Sequence, residues 1–204
     1  MQDYIKDEIN KTIETVQKLL SDKTTILLIE KIAKKGAEIL RKGGKLMFAG
    51  NGGSAADSQH LAAEIISRLN YDRPALAAVA LTTDTSALTA IGNDYGFEFV
   101  FSRQVEGLGN KGDLFFAIST SVNSPNILKA IKAAKAKGIT VVGFTGETGG
   151  KMKDEDECDY LFCAPSRETP KIQECHILVG HIICSLIEEE IYGKKYNPQR
   201  QGKK

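Results

Sequence analysis

The sequence predicts an α/β fold, a doubly wound five-stranded parallel sheet with helices on both faces and a pair of helices ahead of it. Three observations carry this expectation. Before position 42, apolar residues recur only at helical spacing; after Gly43-Gly44, short apolar runs bounded by turn residues occur five times; and amphipathic segments of helical period separate those runs. Such alternation calls for right-handed crossovers between parallel strands, which places helices on both faces.

Taken in order, Ile5, Ile9, Ile13 and Val16 form one helical stripe, and Ile26, Leu27, Ile29, Ile32, Ala33, Ile39 and Leu40 form a second after a break near Ser21. These N-terminal helices, residues 1–42, are expected to serve packing and oligomerisation. Strands are expected at 45–50, 77–82, 113–119, 140–145 and 160–164, and helices at 54–69, 85–107, 124–137 and 169–192. A single domain then spans 1–192. The basic segment 193–204, with Pro198 and no apolar period, reads as a flexible tail.

A chain of 204 residues with 42% hydrophobic content suffices for one core. Twenty-seven Lys and Arg against 26 Asp and Glu leave a formal charge of +1, so no global field draws the protein to nucleic acid or an anionic membrane. Any anion must therefore meet a local site. The longest apolar run, near Ile177–Ile187, is interrupted by His181 and too short to span a bilayer, and the start is charged and polar, so the cytoplasm is the expected compartment. Cys158, Cys163, Cys175 and Cys184 lack C-x-x-C spacing and read as free, small apolar residues.

In a doubly wound sheet, ligands bind beyond the carboxyl ends of the strands, so the loops at 51–54 and 120–124 share an address. The first, Gly50-Asn51-Gly52-Gly53-Ser54, combines glycines that allow close backbone approach with a helix start that offers unpaired N–H groups. It matches neither the P-loop lysine signature nor G-x-G-x-x-G, and it also reads as a plain strand-to-helix turn. The second, Ser119-Thr120-Ser121-Val122-Asn123-Ser124-Pro125, offers hydroxyls that can surround a phosphate without Lys or Arg; alternatively Ser124 only caps a helix that opens on Pro125. His60 and Glu64, four residues apart, share a helix face and suit a metal or proton transfer as well as an ordinary polar pair. Gln173, His176 and His181 are the polar candidates of the last helix, with one of the two histidines expected to be structural.

The run Gly50–Asp57 followed by His60 and Glu64 resembles the phosphoheptose isomerases of the SIS domain family. So do Leu81-Thr82-Thr83-Asp84, Gly92-Asn93-Asp94-Tyr95-Gly96, Phe101-Ser102-Arg103-Gln104, Ser119-Thr120-Ser121 and Ile172-Gln173-Glu174-Cys175-His176 with His181 beyond. The resemblance runs to about residue 192. It implies an aldose–ketose isomerase that converts sedoheptulose 7-phosphate to glycero-manno-heptose 7-phosphate through an enediol, ahead of nucleotide-activated heptose synthesis for lipopolysaccharide or capsule. It further implies a homotetramer with interface active sites and a substrate site of Asn51, Gly52, Gly53, Ser54, Glu64, Asn93, Asp94, Ser119, Thr120, Ser121, Ser124 and Gln173. Glu64 and His181 would be the acid–base pair, and His60, Glu64, Gln173 and His181 the ligands of one zinc per subunit.

Two features bear on this. Gln173 and His181 stand eight residues apart, about 12 Å of helical rise, so their side chains must converge or one ligand must come from another subunit. Val122 stands where the family usually carries Gly, and a β-branched residue at a positive φ would be strained. Competing readings are a non-catalytic SIS regulator resembling replication-initiator-associated proteins, a sugar-phosphate sensor without turnover, and an aminosugar-phosphate enzyme. The regulators lack the acid–base pair, whereas Glu64 and His181 are both present here.

Overall fold

The computed structural model describes residues 1–121, 123–154 and 158–201. Five strands, β1 (Leu46–Gly50), β2 (Ala78–Ala80), β3 (Leu114–Ile118), β4 (Thr140–Thr145) and β5 (Tyr160–Cys163), pair in the order β2-β1-β3-β4-β5, all parallel. The chain thus leaves β1 toward one edge and returns to β3 on β1's other side. Where the winding reverses, the loops after β1 and β3 diverge and leave a crevice.

Alternation along each strand sends its side chains to two cores. Leu46 and Phe48 face a layer formed by α2 (Lys23–Arg41), α3 (Gly53–Ile66) and α8 (Thr169–Tyr196), while Met47 and Ala49 face α5 (Ser102–Leu108) and α6 (Pro125–Ala136). The first core carries an aromatic ladder across the sheet: Phe48 stacks on Phe116 at 4.7 Å, and Phe144 meets Phe116 and Phe162 edge-on. His176 of α8 tilts against Phe144 and Phe162, and its Nε2 donates to the Thr145 carbonyl at 3.0 Å. It is the structural histidine of the two.

The two N-terminal helices follow the sequence expectation. Helix α1 (Gln2–Ser21) ends where Asp22 caps α2, its Oδ1 accepting from the amides of Thr24 and Thr25. Along α1 only Thr15 and Leu19 are buried, so Tyr4, Ile5, Ile9 and Ile13 stand exposed. The segment 85–107, expected as one helix, is three pieces: α4 (Thr85–Asp94), a 3₁₀ turn (Phe97–Phe99) and α5. Gly96, at φ +99°, breaks it, because that conformation cannot continue a helix. A short α7 (Gly150–Asp154) was not foreseen, its five residues being too few to show a period. Helix α8 runs past Tyr192 to Tyr196, where Asn197 Nδ2 donates to Glu189 Oε2, and α9 (Pro198–Gln201) follows; residues 202–204 of the expected tail lie outside the described residues. Among the described residues no helix is long and apolar enough to cross a membrane. Cys175 and Cys184 are buried, with thiols pushed up to about 11 and about 12 by desolvation, and Cys158 and Cys163 are half-buried.

Two expectations follow from this packing. At Gly180 of α8, an added Cβ would lie 2.7 Å from Leu61 Cδ1 and Cδ2 of α3, so the helices touch only because that position has no side chain. Gly180→Val should destabilise the fold by about 2 kcal/mol in urea unfolding. Burial holds His176 at about 4, below its ordinary 6.5, so below pH 6.5 the unfolded chain binds a proton that the folded chain refuses. Its contribution to stability is therefore full above pH 6.5 and lost as pH falls toward 4. Melting temperature should fall more steeply over that window in the wild type than in His176→Gln; equal slopes would mean that the ring titrates alike in both states.

Candidate active site

At the crevice, Gly52 takes φ +57° and ψ −121°, outside the ordinary reach of residues with a side chain, and turns the chain from β1 into α3. Across from it, Ser119 ends the run of β3 and Ser124 precedes α6. Their hydroxyls and that of Ser121 form a triangle: 3.2 Å from Ser124 to Ser119, 3.2 Å from Ser124 to Ser121 and 3.5 Å from Ser119 to Ser121. Ser124 makes no side-chain cap for its own helix, so the plain capping role does not account for it. Asn51, Ser54, Ser119, Thr120, Ser121 and Ser124 share a cavity of about 100 Å³ with Ile118 behind them. The starts of α3 and α6, neither with a side-chain cap, border it. Free N–H groups, favourable dipole ends and hydroxyl donors suit a single phosphoryl group. Val122 lies outside the described residues.

One feature of this cradle has no sequence signal. Asn51 and Asn126 exchange two amide hydrogen bonds, Nδ2 to Oδ1 at 2.9 and 2.8 Å, with Asn126 only 2% exposed. The pair clamps the first loop to α6. Asn51's side chain is thereby engaged within the protein, so its loop can offer a ligand its backbone.

Two turns farther along α3 stand His60 and Glu64. The His60 Nε2 lies 2.7 Å from the Nε2 of His181 on α8 and 3.3 Å from Glu64 Oε1. Two imidazole nitrogens at 2.7 Å share one proton, so one ring donates and the other is neutral. The ligand-type atoms of His60, Glu64 and His181 all lie within 4.8 Å of one another. An N, N, O set of this kind fits a first-row ion such as zinc, which would displace the shared proton. Asp57, one turn before His60, was quoted in the motif but given no role. One of its carboxylate oxygens is buried without a partner, and desolvation raises its carboxyl above the ordinary range while His60 and His181 pull the other way.

Gln173 sits elsewhere on α8. Its amide lies against Gly53, where a Cβ would come within 2.5 Å of Nε2. Gly53 precedes His60 by seven residues, about 10 Å of rise. Asn93 and Asp94 are exposed at the end of α4, where Asn93 Nδ2 donates to Asp94 Oδ1 at 2.7 Å, and they do not line the cavity. One chain therefore unites the serine cradle and the His60–Glu64–His181 cluster, leaving Asn93 and Asp94 apart.

Hydroxyls and helix starts suited to a phosphoryl group thus stand at the switch point of an α/β sheet, with a His–Glu–His cluster two turns along the adjoining helix, and residues 5–146 match the family described as SIS domain. The phosphoheptose isomerase of Aneurinibacillus thermoaerophilus is 55% identical over 196 residues, covering 96% of this chain and 98% of that one. Phosphoheptose isomerase 2 of Campylobacter jejuni is 50% identical, covering 97% of each chain. The solved phosphoheptose isomerase of Neisseria gonorrhoeae superposes with a TM-score of 0.85 at 43% identity, covering 92% of this chain and 98% of that one. The chain belongs to the SIS domain family and, within it, to the phosphoheptose isomerases.

The Asn51–Asn126 clamp yields a test that needs no sugar. Asn126→Leu should weaken inorganic phosphate binding by about tenfold in calorimetry, the loss of roughly one buried hydrogen-bond pair. Unchanged affinity would mean that the cradle holds its shape without the clamp.

Proposed function

We propose that the chain interconverts sedoheptulose 7-phosphate and glycero-manno-heptose 7-phosphate, as an aldose–ketose isomerase at the entry to nucleotide-activated heptose synthesis. The observation that carries this is the spacing along α3. From Ser54 in the cradle to His60 in the cluster is six residues, about 9 Å of helix, and side chains lean back toward the helix start. An extended seven-carbon chain with C–C bonds near 1.5 Å spans a similar distance, on the order of 8–9 Å, from terminal oxygen to carbonyl end. A phosphate seated among Ser119, Ser121 and Ser124 thus presents C1 and C2 to Glu64 and His181.

Glu64 is the base in this reading. It takes a proton from C1, the C1–H electron pair forms the C1–C2 double bond, and the carbonyl pair moves to O2, which His181 protonates. The enediol then gives its O1 proton back to His181, the O1–H electron pair forms the aldehyde C1–O1 double bond, and Glu64, whose proton has meanwhile exchanged with solvent, protonates C2. A carboxylate and an imidazole suit these exchanges near neutral pH. Ser54 and the backbone of Asn51, Gly52 and Gly53 complete the cradle, with Thr120 at its wall and Gln173 over Gly53 toward the sugar. His60, Glu64 and His181 would hold zinc, which when bound polarises a carbonyl and stabilises negative charge on oxygen. Gln173 would join that set only by leaving its place at Gly53.

We extend the proposal to a homotetramer in the cytoplasm, where a phosphorylated sugar is at hand. The uncovered Tyr4, Ile5, Ile9 and Ile13 support association, and Asn93 and Asp94, exposed here, would complete a neighbour's site.

Incubation with sedoheptulose 7-phosphate in deuterated water, followed by NMR, should give the aldoheptose phosphate with deuterium at C2. Glu64→Gln should lower kcat by about 10²–10⁴-fold while the protein stays folded. Near-normal turnover in that variant would remove Glu64 from the role, and binding without turnover by the wild type would make the protein a sensor.

A further inference from the structure

Arg73 and Glu188 form an ion pair at 3.0 Å, and both side chains are wholly buried. Neither appears in the acid–base cluster, and neither was singled out by the sequence. Their partners are unusual. Arg73 Nη2 donates to the backbone carbonyl of Glu64 itself at 2.8 Å, and Nη1 donates to the carbonyls of Ile65 at 2.9 Å and Pro74 at 3.1 Å. The Glu188 carboxylate accepts, besides Arg73 Nε, the amides of Leu69 at 3.1 Å and Asn70 at 2.8 Å and the Asn70 Nδ2 at 2.9 Å. The four lone-pair sites of the carboxylate are filled, and four of the five guanidinium donors are used.

We infer that Arg73 and Glu188 are positioning residues that lock the axial register of α3 against α8 and so hold the Glu64 carboxylate and the His181 imidazole in reacting geometry. The argument is one of connectivity. Glu188 stands seven residues after His181, two turns along the same face of α8. Arg73 ends α3 by taking carbonyls that have no further amide within the helix, where a cation also meets the favourable end of the dipole. The guanidinium therefore joins the peptide of the proposed base to the helix that carries the proposed acid. Close packing of Gly180 on Leu61 sets how near the helices lie, but apolar contact tolerates sliding along the axis. A planar fork bonded to two successive carbonyls does not. Misplacement of reacting groups by about 1 Å costs on the order of 10²-fold in rate.

A buried ion pair can also act purely as an internal stabiliser, and the two roles separate in kinetics. Replacing both members by apolar residues of similar volume tends to preserve stability, whereas removing one leaves an unpaired buried charge. The double variant Arg73→Met with Glu188→Leu removes both charges but leaves the Leu69 and Asn70 amides and the Glu64 and Pro74 carbonyls without these partners, so it should lose some stability, and the kcat of its folded fraction should fall by about 10–100-fold. Its KM for sedoheptulose 7-phosphate should stay within about twofold, because the cradle lies at the far end of α3. Arg73→Lys, which keeps the charge but lacks the fork, should lose kcat in the same way; Glu188→Gln, which keeps shape and some acceptors, should fall between. All values are referred to the folded fraction measured by circular dichroism. If kcat of the folded fraction stays within twofold of wild type in Arg73→Lys or the double variant, or follows melting temperature across the series instead of the Arg73–carbonyl bonds retained, the pair is a stabiliser and the inference fails. It rests on Glu64 as base, so Glu64→Gln is assayed alongside: an active Glu64→Gln sinks that reading, while an inactive Glu64→Gln beside a fully active Arg73→Lys sinks the positioning role alone.

Discussion

Everything chemical in this molecule depends on two helices from distant parts of the chain lying flush. Helix α3 follows the first strand, α8 follows the last, and the clustered His60, Glu64 and His181 are divided between them. Contact at Gly180 and Leu61 fixes their separation, and no residue with a Cβ could occupy position 180 without pushing Leu61 aside. Because the interior is close-packed and relaxes only in part, a shift there is transmitted and not absorbed. His60 Nε2 and His181 Nε2 can stand at 2.7 Å only within that tolerance.

The serine crevice is built differently: on a protein of formal charge +1 it has no basic residue in its lining. Serine hydroxyls and two helix starts supply the donors. Such donors carry partial charges and are fixed by the fold, so an anion placed there would need no mobile lysine side chains and would not incur their entropy cost. The reciprocal Asn51–Asn126 bonds keep those starts in register, which links the fold of the switch point directly to the shape of the site.

Periodicity made the five strands, the two leading helices and the site loops legible in the sequence, because burial on one or both faces imprints a repeat of 2 or 3.6. It failed where one residue overrides the repeat. Gly96 splits an apolar pattern that would otherwise support a single helix from 85 to 107, because a lone glycine permits the positive φ without requiring it and the period alone does not say which it does. The family motif drew His60, Glu64 and His181 together, and the structure brings their ligand atoms within one cluster. Arg73–Glu188 and Asn51–Asn126 stayed invisible for another reason: each joins residues 75 or more positions apart, and a buried polar pair leaves no periodic trace.

Gln173 illustrates how geometry divides what a motif groups. In sequence it belongs with His176 and His181, and a straight helix separates it from His181 by about 12 Å. Its amide contacts Gly53, at the start of α3, while His181 contacts His60 seven residues on, so an eight-residue step on α8 faces a seven-residue step on α3. The helices therefore meet twice through polar side chains, once beside the cradle and once at the cluster. In the proposed reading a sugar phosphate seated at the first meeting would extend toward the second, with Gln173 and His181 at different parts of one ligand. On that reading the eight-residue spacing would match the length of the substrate, and a single ion need not bridge it.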